Sequence, residues 1–420
     1  MTEENVASSQ TMRRGRKRSL MLFGFLATIF YGIWVTYNGV VHSEKNNTLP
    51  TEAAIDDKPQ VLENPDKAVP TIARKIDVKE PINRVFLVYI PSTQADSIQN
   101  ILLRKAIQKD LNVALPQTKR DSMCFPKTFE QTCPHNSNEA PFDMMVHQIR
   151  YERHLPGRVV KPNFKLIVVI RHPIAHLQAI YYDNDWSDFV NDNSFNYFIK
   201  YQYRQFARIF DFDSNLPYRN IQLFSLGYPA AHNDNREAVR HKVEDIIHDF
   251  HLVIIQEYML ESLVLLKEQL NWQLEDMTTF SLHARPEYYG YEELDERVNK
   301  TVVLHNEGEM KMYEMLLEDF KQKIEEFGQE RMNAEKEALQ KAINKDTEHC
   351  LKKSEEEMKE SCRRIDYRLS WEGETDRLCH YHVSRGSELT TLLRINWDKK
   401  DAERKRKSLH KKIDAQKSDD

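Results

Sequence analysis

The chain has 420 residues, 40% of them hydrophobic and 30% charged, which is enough apolar content for one large domain with accessory segments. A formal net charge of −5 leaves no basic surplus to release counterions from phosphate, which argues against a general nucleic-acid binder. The cysteines Cys124, Cys133, Cys350, Cys362 and Cys379 show no CxxC spacing, so no metal is expected.

In chain order, residues 1–19 form a short tail carrying Arg13, Arg14, Arg16, Lys17 and Arg18. Residues 20–41 contain no charge, and at 1.5 Å rise they span about the 30 Å hydrocarbon core of a bilayer. The basic residues before them predict a cytoplasmic N-terminus and a type II signal anchor, with the rest of the chain in the secretory lumen. A cleaved signal peptide is the weaker reading, because the run is long and lacks a clear small-residue cleavage site. Residues 42–81 are polar and punctuated by Pro50, Pro59, Pro65, Pro70 and Pro81, which predicts an extended stem. Asn46-Asn47-Thr48 and Asn299-Lys300-Thr301 are glycosylation sequons, suited to a luminal location. In an oxidising lumen two disulfides and one free thiol are expected, with Cys124–Cys133 as the preferred local pair.

The predicted domain covers residues 82–400. Val85 to Ile90 is a short apolar β-type run, followed by a helical pattern carrying Ile98, Ile101, Leu102 and Ile107. Lys165 to Ile170 repeats the strand pattern and ends at Arg171-His172-Pro173. Ile221 to Leu226 and Leu252 to Tyr258 are further strand candidates, with a helix over Val243 to Phe250 between them. Continuous apolar strands alternating with helices imply an α/β fold with a parallel sheet flanked by helices, whose ligand site lies at the strand carboxyl ends. Residues 91–97 and 171–182 become the segments of interest. The second half reads as helical, with apolar stripes in Ser262 to Leu270 and Tyr313 to Phe327. Residues 401–420 read as a frayed charged tail whose basic run is suited to anionic glycans.

Several blocks together resemble the galactose-3-O-sulfotransferase family, which includes galactosylceramide sulfotransferase. They are Phe250-His251-Leu252-Val253 through Glu257-Tyr258, Glu261 to Leu266, Trp272, Leu274, Asp276, Leu282, Ala284 and Arg285. Phe142-Asp143, His147, Arg150 and Tyr151 form a second block, Arg171 and Pro173 a third, and Ser97 with Gln99 to Leu102 and Arg104 a fourth. The resemblance covers roughly residues 82–350 and implies a P-loop-like sulfotransferase fold. It also implies a Golgi enzyme that moves a sulfuryl group from 3′-phosphoadenosine-5′-phosphosulfate (PAPS) to the 3-hydroxyl of a galactose on a glycolipid or glycan. Such chemistry needs a donor loop at a helix N-terminus, a cation for the leaving phosphate and a base for the sugar proton. By resemblance, Thr93, Ser97 and Arg171 would bind the donor, Arg150 the acceptor, and His147 would be the catalytic base.

The family's donor loop reads approximately Lys-Thr-His-Lys-Thr-Gly-Ser-Ser-Thr, where this chain has Tyr89-Ile90-Pro91-Ser92-Thr93-Gln94-Ala95-Asp96-Ser97. Ser92 replaces the lysine that would meet the sulfate, Pro91 the histidine and Gln94 the glycine. Asp96 adds a negative charge, and Ala179 stands where the family has a serine. One charge pair at ~4 Å and an effective dielectric of ~20 is worth about 4 kcal/mol, so the loop chemistry points to a second reading: a catalytically inactive relative that binds a glycan or a partner. A Golgi glycosyltransferase is a third, since Asp183-Asn184-Asp185 and Asp211-Phe212-Asp213 fit an Asp-x-Asp pattern for a divalent ion. Arg171 at a strand end also suits a plain ion pair, and His147 a structural role. The expected partners are the galactose-terminated acceptor, the membrane through the anchor, and a second copy in a homodimer.

Overall fold

The computed structural model describes residues 80–117, 122–183, 194–201, 203, 219–229, 235–280, 292–352 and 367–418. The expected anchor and nearly all of the stem, Asn46, Cys362 and Asp211-Phe212-Asp213 lie outside these residues. Among the described residues no helix is long and apolar enough to cross a membrane.

Apolar, largely β-branched sequence builds the centre of the domain. Strands β1 (Val85–Val88), β2 (Met144–Met145), β3 (Lys165–Ile170) and β4 (Leu252–Ile255) form a four-stranded sheet of order β2-β1-β3-β4. Every neighbouring pair is parallel, with Phe86 opposite both Met145 and Leu166, and Val168 opposite Val253. All residues of β1 and β4 are buried, as expected of strands covered on both faces. Full burial of one such aliphatic side chain is worth about 1.5–3 kcal/mol, so these runs anchor the fold.

The helices follow in chain order. After β1 come α1 (Ala95–Lys109) and, beyond β2, α2 (Leu155–Val159). After β3 come α3 (Pro173–Asp183), α4 (Phe195–Tyr201), α5 (Ile221–Ser225) and α6 (Arg236–Asp249). Beyond β4 the chain is helical: α7 (Met259–Leu270), α8 (Glu296–His305), α9 (Glu307–Phe327), α10 (Gln329–Cys350), α11 (Trp371–Thr375), α12 (Arg377–Val383) and α13 (Gly386–Ser418). The molecule is thus α/β with a parallel sheet flanked by helices and a helical C-terminal part. Cys124–Cys133 is bonded as expected, and Cys350–Cys379 forms a second disulfide that ties α10 to α12.

Three expectations are corrected. Ile221 to Leu226 is not a strand; its first five residues form α5, a single helical turn. A short apolar run fits either period, and here the Glu309 carboxylate accepts the backbone N–H groups of Gln222 and Leu223, which a helix start leaves free. The charged tail is not frayed either, because α13 continues from the domain through Ser418. Leu389 and Leu393 bury its first turns, and Lys400 and Arg404 then pair with Asp110 and Glu139. Gly386 opens this helix against Gln99, where a Cβ would overlap the Gln99 amide. The strand after residue 252 is shorter than expected, turning into a 3-10 helix at Gln256–Tyr258.

Candidate functional site

Because every strand of the sheet is parallel, all four exits open on one edge. The exit of β1 is the loop that leads into α1. Ser92 and Gln94 there hold the left-handed conformation, with φ of 61° and 64°. For a residue with a Cβ this costs about 1–2 kcal/mol, which glycine would avoid. The loop therefore makes a tight left-handed turn without a glycine.

The side chains of that loop close on the protein itself. The Thr93 hydroxyl donates to the Ile90 carbonyl at 2.7 Å, and Ser97 to the Phe280 carbonyl at 3.3 Å; both residues are buried. Ser92 donates to the Asp183 carboxylate at 2.6 Å, which makes Asp183 part of the loop's support. Gln256 donates to the Gln94 side chain at 3.1 Å. Asp96 lies in the first turn of α1 and accepts from the Tyr89 hydroxyl at 2.6 Å. A carboxylate is favourable at a helix N-terminus, so Asp96 itself meets part of the attraction that an incoming anion would feel.

The exit of β3 carries a buried arginine. Arg171 is only 9% exposed, and its Nη1 donates to the Ser92 carbonyl at 2.8 Å, which brings the guanidinium against the donor loop. Its backbone is held by a two-way clamp: Arg171 N donates to Gln222 Oε1 at 3.0 Å, and Gln222 Nε2 returns to the Arg171 carbonyl at 2.9 Å. Glu309 holds Gln222 in turn, accepting from its backbone and side chain. Burial pushes the Glu309 carboxyl up to about 7, against the lowering effect of those same donors. One helix on, His176 donates to the Pro91 carbonyl at 2.9 Å, and burial depresses its imidazole to about 4. Residues 91–97 and 171–182 are thus brought together, as the strand-exit argument expects, with Asp183 just beyond them.

Two other family-block residues sit apart from that contact. His147 follows β2 and is fully buried, and its Nε2 lies 2.8 Å from Thr390 Oγ1 in α13. Thr390 also donates to the Gly386 carbonyl. Burial lowers this imidazole to about 3, and α13 encloses it. Arg150 donates to the carbonyls of Phe224 and Tyr228 at 3.3 and 3.5 Å and stacks its guanidinium 4.2 Å from the Phe224 ring centre. Asn299 is exposed on α8.

Sequence reasoning missed the supports: Tyr89 for Asp96, Gln222 and Glu309 for Arg171, and a cluster around His172. The backbone N–H of His172 donates to Glu257 Oε1 at 2.8 Å, and the Tyr313 hydroxyl donates to Glu257 Oε2 at 3.0 Å. The imidazole packs edge-on against the Tyr313 ring with centroids 5.0 Å apart. The one available signal was Gln222, a polar side chain inside an apolar run. Elsewhere, His349, Asp376 and Cys379 lie close together, but the Cys379 sulfur is committed to its disulfide and offers no thiolate to a metal.

The domain is thus a parallel α/β fold that gathers a tight loop and a clamped arginine at its strand exits. It belongs to the galactose-3-O-sulfotransferase family, whose sequence profile matches residues 7–388. The chain is 26% identical to a Bos taurus galactosylceramide sulfotransferase over 81% of this chain and 80% of that protein. With the Homo sapiens galactosylceramide sulfotransferase it shares 28% identity over 79% of this chain and 78% of the relative. A Sus scrofa galactose-3-O-sulfotransferase 2 is 30% identical over 49% and 53%, respectively. Nearly all of α13, including Thr390, lies beyond the family match.

Proposed function

We propose that this protein is a carbohydrate sulfotransferase that moves a sulfuryl group from PAPS to the 3-hydroxyl of a galactose on a glycolipid or glycan. The reading includes a Golgi location, with residues 20–41 as a type II anchor, 42–81 as a stem and the domain in the lumen. The observation that carries it is the Arg171 contact with the donor loop. A loop without its lysine still has a guanidinium 2.8 Å from the Ser92 carbonyl, on the turn that leads into α1. Asp96, whose charge would oppose an anion, is engaged by the Tyr89 hydroxyl. A guanidinium fork suits phosphate geometry, and the turn leads into the N-terminus of α1, where free N–H groups favour an anion. Thr93 and Ser97 line the same turn and would support its backbone, since their hydroxyl hydrogens are already donated within the chain.

Transfer of labelled sulfate from PAPS to galactosylceramide or to a galactose-terminated glycan tests the reading. Sulfation at the 3-hydroxyl is the expected product, and absence of any labelled product overturns it. A second reading, a non-catalytic relative that binds a glycan or partner, is favoured by the sealed position of His147 beneath Thr390 and by the loop's self-paired side chains. Retained glycan binding with no transfer would select it.

A further inference from the structure

We propose that His172 is the general base of the transfer, standing in for the histidine that the donor loop has lost to Pro91. The proposal rests on the sulfotransferase reading above and adds a catalytic group to it. Three described histidines stand at or just beyond the strand exits, and two of them are unsuited. His147 is enclosed by α13 with its Nε2 engaged by Thr390, and His176 is buried with its Nε2 on the Pro91 carbonyl. His172 is only half-buried, and neither of its ring nitrogens hydrogen-bonds another described residue.

Its position is fixed from several directions. Arg171, the residue before it, contacts the loop at Ser92, and Gln256, the residue before Glu257, contacts the loop at Gln94. His172 therefore stands on the segment after β3 that touches the donor loop, and its backbone is bonded to Glu257 on the segment after β4 that also touches it. Glu257, exposed at the same edge, anchors the His172 backbone and the Tyr313 hydroxyl, and the Tyr313 ring sets the plane of the imidazole. The ionisable groups packed around it are Glu257, Tyr313 and its chain neighbour Arg171. Partial burial lowers the pKa of His172 while Glu257 opposes that shift, so the ring is neutral near pH 7 and its cation has a nearby carboxylate.

In the step itself, the galactose 3-hydroxyl gives its proton to an imidazole nitrogen of His172 as its oxygen bonds to sulfur. The bond between sulfur and the bridging phosphate oxygen breaks, and the electron pair leaves with adenosine 3′,5′-bisphosphate. No oxidant or metal is needed to balance the step.

The test is steady-state transfer from PAPS to a galactoside by the full-length protein and its His172→Gln and His172→Ala variants. General-base catalysis of this kind is worth about 100-fold or more, so kcat should fall by at least that factor while both KM values stay within about threefold. The wild-type kcat should decline toward acid pH, and added imidazole should partly restore His172→Ala, which a merely structural role would not produce. A His172→Gln enzyme that keeps its kcat and its acidic limb overturns the proposal and leaves the sulfotransferase reading intact. A wild-type protein that binds adenosine 3′,5′-bisphosphate but transfers no sulfate overturns both.

Discussion

The exits of β1 and β3 meet at the same edge of the sheet but have kept different things. After β1, Ser92 and Gln94 hold a left-handed turn, while the lysine, histidine and glycine expected from the family loop are absent. After β3, Arg171 matches the family block and His172 follows it, while the helix beyond carries Ala179 where the family has a serine. The contrast shows how charge can reach a loop from a neighbouring strand exit. A loop that has lost its own cation is reached by the guanidinium of the adjacent strand exit, and that guanidinium depends on Gln222 and Glu309, far away in sequence.

If the β3 exit depends on Glu309, its proton should be visible in stability. The carboxyl is raised from 4.5 to about 7 in the fold, so the folded state holds a proton that the unfolded chain gives up. The stabilisation is fully present below pH 4.5 and is lost as pH rises through about 7, by up to roughly 3 kcal/mol across that window. Urea unfolding at a series of pH values should show the decline, and Glu309→Gln should flatten it. The β1 exit makes a smaller prediction. Ser92→Lys returns a positive charge to the loop and should tighten adenosine 3′,5′-bisphosphate binding about tenfold, measured by calorimetry. No gain would mean that the loop does not meet the anion. The smallest effect concerns backbone shape alone: Gln94→Gly relieves the left-handed strain and should raise stability by about 0.5–1 kcal/mol, after the entropy cost of glycine. A loss there would mean that the Gln256 contact outweighs the strain.

The parts of the fold carried by local pattern could be read from the sequence. β1 and β3 are continuous apolar runs, and the helix after β1 and the stripe in α9 keep their periods, so the sheet edge and its two loops were in view before any coordinates. The parts carried by distant polar partners could not. Ile221 to Leu226 is apolar enough for a strand, and only Glu309, 87 residues from Gln222, makes its first turn a helix. The helix through residues 401–418 shows little amphipathic pattern, and it docks through Lys400 and Arg404, whose acidic partners lie more than 250 residues earlier in the chain. At the site, Asp96 was legible as a negative charge, but the Tyr89 hydroxyl that accommodates it was not. His172 stood in the Arg171-His172-Pro173 run, but the burial and ring hydrogen bonds that separate it from His147 and His176 were not legible.

The account depends most on Arg171 acting as the cation of the donor site. Calorimetric titration of adenosine 3′,5′-bisphosphate into the full-length protein and its Arg171→Ala variant measures that directly. Loss of a charge-assisted hydrogen bond costs about 1.5–3 kcal/mol, so the wild type should bind and the variant should be weaker by roughly 10- to 100-fold. Equal affinity in the two proteins, or no binding by the wild type at about millimolar nucleotide, would contradict it.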